Sequence, residues 1–557
     1  MKRLSLRHPA KNQQKWAQGS VIYQIYPRSF QDSDGDGVGD IQGIISRLDY
    51  LKELKVNGVW LSPFYPSPMA DFGYDVADYC DIDPLFGTLE DFKQLLSEAH
   101  KRDIKVIIDI VPNHTSDEHK WFKESKRSRE GKYSDWYVWK DPKGYHGDKP
   151  IPPNNWLDLF AGRSAWEWVE ERQQYYLHSF HVRQPDLNWS NPSVREAIKE
   201  VLRFWMRLGV DGFRVDAVIF LDKDPQFRDD PINPHYNPKH GTPYDKLIHS
   251  NSVYWPKVYT YLDELSAVLN EKPFNRQPKF MVTEGYVQRD NTDVISEYLK
   301  YYHGMNSQVA APFIFEGIER PLSARDWRAF LRDFHATLSS LGPDVVSPYA
   351  FGNHDQSRIA SRYGAERARA LSVLMLTLPG MIFIYYGDEL GMHDVSIPKE
   401  FVKDPGAVGG KGRDPERTPM QWSEKTAAGF SDNENTWLPL AHDFKAHNVE
   451  VESKQEDSFL NLYKQLISIR QSSKALRLGT LRVEGETDDR ILTYSRQYNA
   501  ERYTTVLNLD DKPKVYEFTQ SGKIVISSAL GNKPTTDNLH SYRLKPYEAI
   551  LIKHPNN

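Results

Sequence analysis

Short runs of apolar and β-branched residues recur along the chain, several followed by a loop and then a stretch whose apolar positions fall at helical spacing. They span residues 21–26, 58–62, 105–111, 210–215, 280–283, 309–314, 344–351 and 381–386. Eight such runs predict an α/β fold, a closed parallel (β/α)8 TIM barrel, because parallel neighbours need a crossover between them. One crossover helix is legible in detail. Asn191 can cap it, Pro192 takes its first position, and Val194, Ala197, Ile198, Val201, Leu202, Trp205 and Leu208 make an apolar stripe. Thr88 and Asp91 read as a capping box opening the helix before the third strand.

The spacing of the runs is uneven. About 95 residues separate the third from the fourth, more than one helix and two loops need. A stretch dense in Trp, Pro, Gly and Asn, with poor helical periodicity, accounts for the excess as an inserted subdomain. Beyond about residue 475 the pattern turns to short segments at 491–494, 503–507, 514–518 and 549–552, which predict a C-terminal antiparallel β-sandwich. The expected division is 1–114 with 188–474 for the barrel, 115–187 for the insert and 475–557 for the C-terminal domain.

Composition narrows the partners. The net charge is −5, with Lys and Arg spread among Asp and Glu, so no field draws nucleic acid or an anionic membrane, and a neutral substrate fits better. Cys80 stands alone, which rules out an intramolecular disulfide and points to the cytoplasm. The first twenty residues are basic and polar without an apolar run, so secretion by a signal peptide is not expected. The many aromatic residues suit stacking on sugar rings and, equally, a well-filled core.

In barrel enzymes the reactive groups sit at the C-terminal ends of the strands. Three carboxylates qualify: Asp216 in GFRVDA, Glu284 in FMVTEG and Asp355 in FGNHD. Cleaving a glycosidic bond takes one carboxylic acid to protonate the leaving oxygen and one carboxylate to attack the anomeric carbon or activate water. Asp216 and Glu284, on neighbouring strands, are placed to face each other across such a bond. Each alone reads as well as a helix cap or an ion-pair partner; the combination points to catalysis.

The segments around these residues resemble the motif set of glycoside hydrolase family 13, the α-amylase superfamily. DIVPNH (109–114), GFRVDAV (212–218), VTEG (282–285) and FGNHD (351–355) stand in that family's order. QPDLN (184–188) resembles the extra motif of its oligo-1,6-glucosidase and α-glucosidase group. The resemblance, from about residue 23 to the C-terminus, implies that Asp216 is the nucleophile, Glu284 the acid and then the base, and the outcome retention. It implies further that Asp355 holds the 2- and 3-hydroxyls, that Arg214 keeps Asp216 ionised, and that His114 and His354 line the subsite of the cleaved glucose. DFGYD (71–75) and GRDPERTPMQW (412–422) resemble the two loops that separate exo-acting glucosidases from long-chain amylases. On that likeness Asp71 meets the 4- and 6-hydroxyl end, Tyr74 stacks beneath the ring, and Arg413 pairs with Asp71 to dead-end the pocket. Phe160 and Phe180, from the insert, are candidates for the pocket wall or for core packing.

DSDGDGVGD (32–40) is a Gly-rich loop dense in oxygen ligands, suited to a hard cation. It is not an EF-hand, since Gly43 stands where a bidentate Glu is required. The loop resembles the structural calcium (Ca2+) site of oligo-1,6-glucosidase-type enzymes, with Asp32, Asp34, Asp36 and Asp40 offering side chains and Val38 its carbonyl; an unliganded Asp-Gly turn is the alternative. No organic cofactor is expected.

Ala217 follows the nucleophile. In the group this chain resembles, Val there tends to accompany α-1,6 activity and a smaller or hydroxylated residue α-1,4 activity, so Ala217 suggests maltose-type substrates. A methyl or two shifts such discrimination by only ~1–3 kcal/mol. The expected activity is release of α-glucose from the non-reducing end of short α-1,4-linked oligosaccharides or disaccharides, with some glucosyl transfer. Two alternatives stay open. One is a glucosyltransferase or a sucrose- or trehalose-type isomerase, although SRIASRYGAER (357–367) lacks the aromatic or Arg-rich aglycone motif of sucrose isomerases. The other is a non-catalytic barrel like that of amino-acid transporter heavy chains, which lose the carboxylates and carry a membrane helix. Oligomeric state is not legible.

Overall fold

The computed structural model describes residues 16–287, 293–409, 412–484, 489–531, 534–535, 537 and 539–555. Most of the basic N-terminal stretch, residues 1–15, lies outside them. The barrel strands are β1 (Val21–Ile25), β2 (Gly58–Leu61), β3 (Lys105–Ile110), β4 (Gly212–Val215), β5 (Phe280–Thr283), β6 (Ala310–Pro312), β7 (Pro348–Ala350) and β8 (Met381–Tyr385). Each falls inside a run seen in the sequence. They lie parallel in the order β6-β5-β4-β3-β2-β1-β8-β7. A lone parallel bridge, Ile314 to Tyr349, joins β6 to β7 and closes the ring. The seventh run shortens to three residues beginning at Pro348, which has no N–H to give to a ladder. The strands read as unbroken apolar runs because both of their faces are buried.

The crossover helices follow their sequence signals. Leu89–Lys101 opens on a capping box in which Thr88 and Asp91 satisfy each other's backbone N–H. Pro192–Leu208 is capped by the Asn191 side chain and ends at Gly209, whose φ of 116° only glycine adopts cheaply. Its buried face is Val194, Ile198, Val201, Leu202, Trp205 and Met206; Ala197 and Leu208 flank it half-buried.

Between β3 and β4 the chain forms a three-stranded antiparallel sheet (Trp139–Lys140, Gln174–Leu177, Trp166–Val169) and a hairpin (Gly144–His146, Lys149–Ile151). Trp156, Ala165, Trp166, Tyr175 and Leu177 make its own small core, against which Phe227 packs from the loop after β4. The insert is thereby tied to the same loop that leaves the Asp216 strand.

The C-terminal region is antiparallel: β9 (Thr480–Glu484), β10 (Ile491–Tyr498), β11 (Glu501–Asn508), β12 (Lys514–Ser527), β13 (Leu539–Leu544) and β14 (Ala549–Lys553). β12 pairs with β13 along its first half and with β14 along its second, so it passes from one sheet into another. Val506, Ile524, Leu544, Ile550 and Ile552 fill the space enclosed. Two buried arginines hold the seam: Arg496 reaches from this region to the barrel, and Arg470 from the helix Phe459–Ser472 that leads into it. Arg470 donates to the carbonyls of Gly19, Leu376, Leu378 and Gly380, and Arg496 to those of Thr377 and Gly479. The carbonyls left over at the end of the Ala365–Thr377 helix are thus satisfied.

Candidate active site

The C-terminal ends of β3, β4 and β5 carry Asp109, Asp216 and Glu284 into one buried cluster. The barrel ladder extends past the strands to set them, with Asp216 N–H donating to Ile110 O and Glu284 N–H to Val215 O, each at 2.8 Å. Arg214, two residues before Asp216 and therefore on the same strand face, forks among all three. Its Nη1 donates to Asp109 (2.7 Å) and to Asp216, and its Nη2 meets Glu284 at 2.8 Å. Glu284 also accepts from the Ala217 N–H at 2.9 Å. Ala217 reaches that position through a left-handed turn, φ 48°.

Burial raises the pKa of both Asp216 and Glu284; Arg214 opposes the shift, and their negative neighbours reinforce it. The pair therefore holds a proton to higher pH than an isolated carboxyl. Burial likewise pushes Asp109 up to about 6 despite Arg214.

Asp355 faces this cluster from the loop after β7. Burial disfavours its charge, but the Arg413, Arg417 and Arg214 guanidiniums together hold its pKa below the usual carboxylate range. Arg417 Nη2 donates to it at 2.7 Å and Arg413 Nη1 at 3.1 Å. His354 is neutral, its pKa driven down by burial, and lies between the rings of Tyr26 and Tyr74. Gln24 Nε2 sits 2.8 Å from His354 Nδ1 and Tyr74 Oη 2.6 Å from Nε2. With Gln24 donating, the ring proton is on Nε2, pointing to Tyr74, which in turn donates to Asp109 at 3.1 Å.

The far end of the pocket is closed by charge. Arg413 Nη2 donates to Asp71 at 2.6 Å, and Asp404 accepts from Arg413 Nε and Nη2. Gln184 Nε2 lies 3.0 Å from Asp71 and 3.1 Å from His114, so it bridges the two. Burial brings His114 down to about 4 and keeps it neutral. The half-buried rings of Phe160 and Phe180 line this end: Phe180 against His114, Phe220 and Phe160, and Phe160 beneath the Arg413 guanidinium at 4.9 Å.

Asp216, Glu284, Asp355, Asp71, Tyr74, His114, Phe160, Phe180, Arg214, Ala217, His354 and Arg413 thus come together in one place. Asp109, Gln184 and Arg417 stand in motifs already quoted but were given no part. Gln24 and Asp404 carried no signal, since their partners lie hundreds of residues away in sequence, or on a turn whose fold only the structure reveals.

The Asp32–Asp40 loop is separate. Carboxylate oxygens of Asp32, Asp34 and Asp40 lie within 4.8 Å of one another, a hard-oxygen donor set that fits calcium. Asp36 is not in that group.

The profile of "Alpha amylase, catalytic domain" matches residues 24–479. The Alpha-glucosidase of Apis mellifera is 40% identical over 532 residues, 93% of this chain and 88% of its own. Maltase 1 of Drosophila virilis is 40% identical over 562 residues, 97% and 86% of the two chains. The crystal structure of an alpha-glucosyl transfer enzyme superposes with a TM-score of 0.85 at 36% identity, over 97% of this chain and 99% of that one.

Proposed function

The chain belongs to the alpha-amylase family and is a glycoside hydrolase, and we propose that it acts as a retaining, exo-acting α-glucosidase on short α-1,4-linked gluco-oligosaccharides such as maltose. The observation that carries this is the Asp71–Arg413 pair (2.6 Å), which walls off the pocket at the end away from Asp216 and Glu284. In this reading the pair ends the pocket behind a single glucose and excludes a chain that would extend past it.

In this reading Glu284 supplies the proton to the glycosidic oxygen while Asp216 attacks the anomeric carbon, giving a β-glucosyl ester. Glu284, now ionised, takes a proton from water as that water breaks the ester. One guanidinium that reaches both carboxyls keeps them close, which supports retention, since an inverting pair stands ~6.5–9.5 Å apart to admit a water. Arg214 tethers both groups, and Asp355, held ionised by two guanidiniums, favours the cationic character of the sugar in the transition state. His354 and Tyr74, both neutral, orient hydroxyls without adding charge. Ala217 leaves room for the α-1,4 linkage.

The same proposal includes a calcium ion held by Asp32, Asp34 and Asp40, bracing the loop after β1 away from the chemistry. The chemistry calls for no organic cofactor. No helix among the described residues is long and apolar enough to cross a membrane. A cytoplasmic location, argued from the lone Cys80, is part of this reading.

The test is to incubate the purified protein with maltose, isomaltose, sucrose and trehalose and to follow products by NMR. Initial release of α-glucose, fastest from maltose and lost in Asp216→Asn, is expected. The similarity to an alpha-glucosyl transfer enzyme makes transfer products the specific alternative. Transfer or isomer products with little free glucose would assign the protein there, and turnover of none of the four sugars would remove both readings.

A further inference from the structure

The loop after β2 that carries Asp71 is an unlikely shape for its sequence. Within five residues it turns left-handed three times, at Met69 (φ 61°), Phe72 (φ 48°) and Gly73 (φ 102°). Glycine takes that region freely, but a side chain there costs conformational energy, which the surroundings must offset. At Gly73 even a Cβ would sit 3.1 Å from Pro63. What opposes the strain is a single carboxylate. Asp75, fully buried, accepts from Ser67 Oγ (2.8 Å), from the Asp71 N–H (2.9 Å) and, on its other oxygen, from the Ala70 N–H (2.7 Å). All three donors belong to the segment that leads into Asp71. Ser67 Oγ in turn accepts from the N–H of the left-handed Met69. On the outer side Phe72 is pinned between Trp437 and the Arg28 guanidinium.

We infer that Asp75 is a positioning residue which locks this loop so that the Asp71 carboxylate meets Arg413, and that it thereby sets the exo-selectivity of the pocket. Asp75 touches no part of the Asp216–Glu284–Asp355 cluster and acts through Asp71 alone. The inference rests on the α-glucosidase reading above. An amide in place of the carboxylate keeps the shape but turns an NH2 toward one of the backbone donors, so the loop loses at least one of its three bonds and relaxes toward the unstrained backbone. Asp71 then leaves Arg413, and the wall opens.

Three substrates test this: maltose, p-nitrophenyl α-glucoside, and p-nitrophenyl α-maltoside blocked at O4 and O6 of its terminal glucose, which releases nitrophenol only if a second sugar passes the wall. The wild type is expected to act on the first two and not on the third. In Asp75→Asn, KM for maltose rises about tenfold with kcat within about threefold, and the blocked substrate releases nitrophenol at least about tenfold faster than with wild type. Unchanged KM and continued rejection of the blocked substrate would overturn the inference, as would a fall in kcat alone. Should Asp75→Asn not fold, Ser67→Ala removes one donor only. A KM rise of about threefold with kcat held then supports the inference, and no change overturns it. A wild type that ignores both unblocked substrates, or accepts the blocked one equally, defeats the α-glucosidase reading itself and this inference with it.

Discussion

The Asp71–Arg413 wall lends itself to a double-mutant cycle. Arg413→Ala strips Asp71 of its cation and leaves it with the Gln184 amide. Removing one partner of a buried pair costs about 3–5 kcal/mol. Two features place this case at the lower end. Arg417 still faces Asp404 at 3.9 Å and Asp355 at 2.7 Å, and burial already raises the Asp71 pKa, which makes the loss of its cation easier to bear. The cost is felt once bound glucose shuts out the water that would otherwise solvate Asp71. About 3 kcal/mol at about 1.4 kcal/mol per decade is a loss near 100-fold in kcat/KM, carried mainly by KM because this end grips hydroxyls that do not react. Asp71→Asn alone leaves Arg413 with Asp404 and Asp355 and costs about 2 kcal/mol. With both changed no charge is orphaned, so the double variant loses about 3 rather than 5 kcal/mol, an interaction of about 2 kcal/mol. The assay is steady-state hydrolysis of maltose by the four proteins. Additivity within about 0.5 kcal/mol would refute the reasoning, because it would mean the two side chains serve the sugar independently.

Three further outcomes are expected. Ala217→Val places a β-branched residue at φ 48°, so it lowers the melting temperature, and it shifts the maltose-to-isomaltose ratio by no more than about 1–3 kcal/mol, read from parallel kcat/KM values. Asp355→Asn removes a negative charge that raises the pKa of Glu284; deprotonation becomes easier, and the basic limb of the residual activity on an aryl α-glucoside moves to lower pH, whereas a limb moving upward contradicts the site's electrostatics. Calcium raises the melting temperature of the wild type but not of Asp34→Asn, with KM for maltose equal in the two; equal stabilisation of both proteins would remove Asp34 from the metal site.

Much of the barrel was legible because a strand buried on both faces cannot hide its composition, and because caps such as Asn191 and Thr88 act within four residues of themselves. The carboxylates were legible for a related reason: the fold puts Asp216 and Glu284 at one rim, directly after their strands, and the short loop after β7 adds Asp355. What stayed hidden depends on contacts that no local pattern encodes. Asp404 is one aspartate among many until the post-β8 loop folds back to bring Arg413 onto it. Gln24 looks like a polar intrusion in a core strand until His354 arrives to accept its amide. The metal loop shows the reverse limit. The sequence offered the side chains of Asp32, Asp34, Asp36 and Asp40 with the Val38 carbonyl, and which of these oxygens converge, as those of Asp32, Asp34 and Asp40 do, depends on how the loop folds.

The lone bridge between β6 and β7 makes the ring mechanically uneven. Neighbouring strands elsewhere share three or four paired residues, whereas Ile314 and Tyr349 alone span this gap. Its two hydrogen bonds run from Ile314 N–H to Pro348 O (2.7 Å) and from Ala350 N–H to Ile314 O (3.4 Å). So short a contact can open with β3, β4 and β5 still in register, and what then holds Asp355 is its bonds to Arg413 and Arg417. In native-state hydrogen exchange the Ile314 and Ala350 amides would accordingly trade deuterium before those of Asp216 and Glu284. Asp355 thus follows a strand on the thinnest seam of the barrel, and Asp216 and Glu284 follow strands joined by four paired residues.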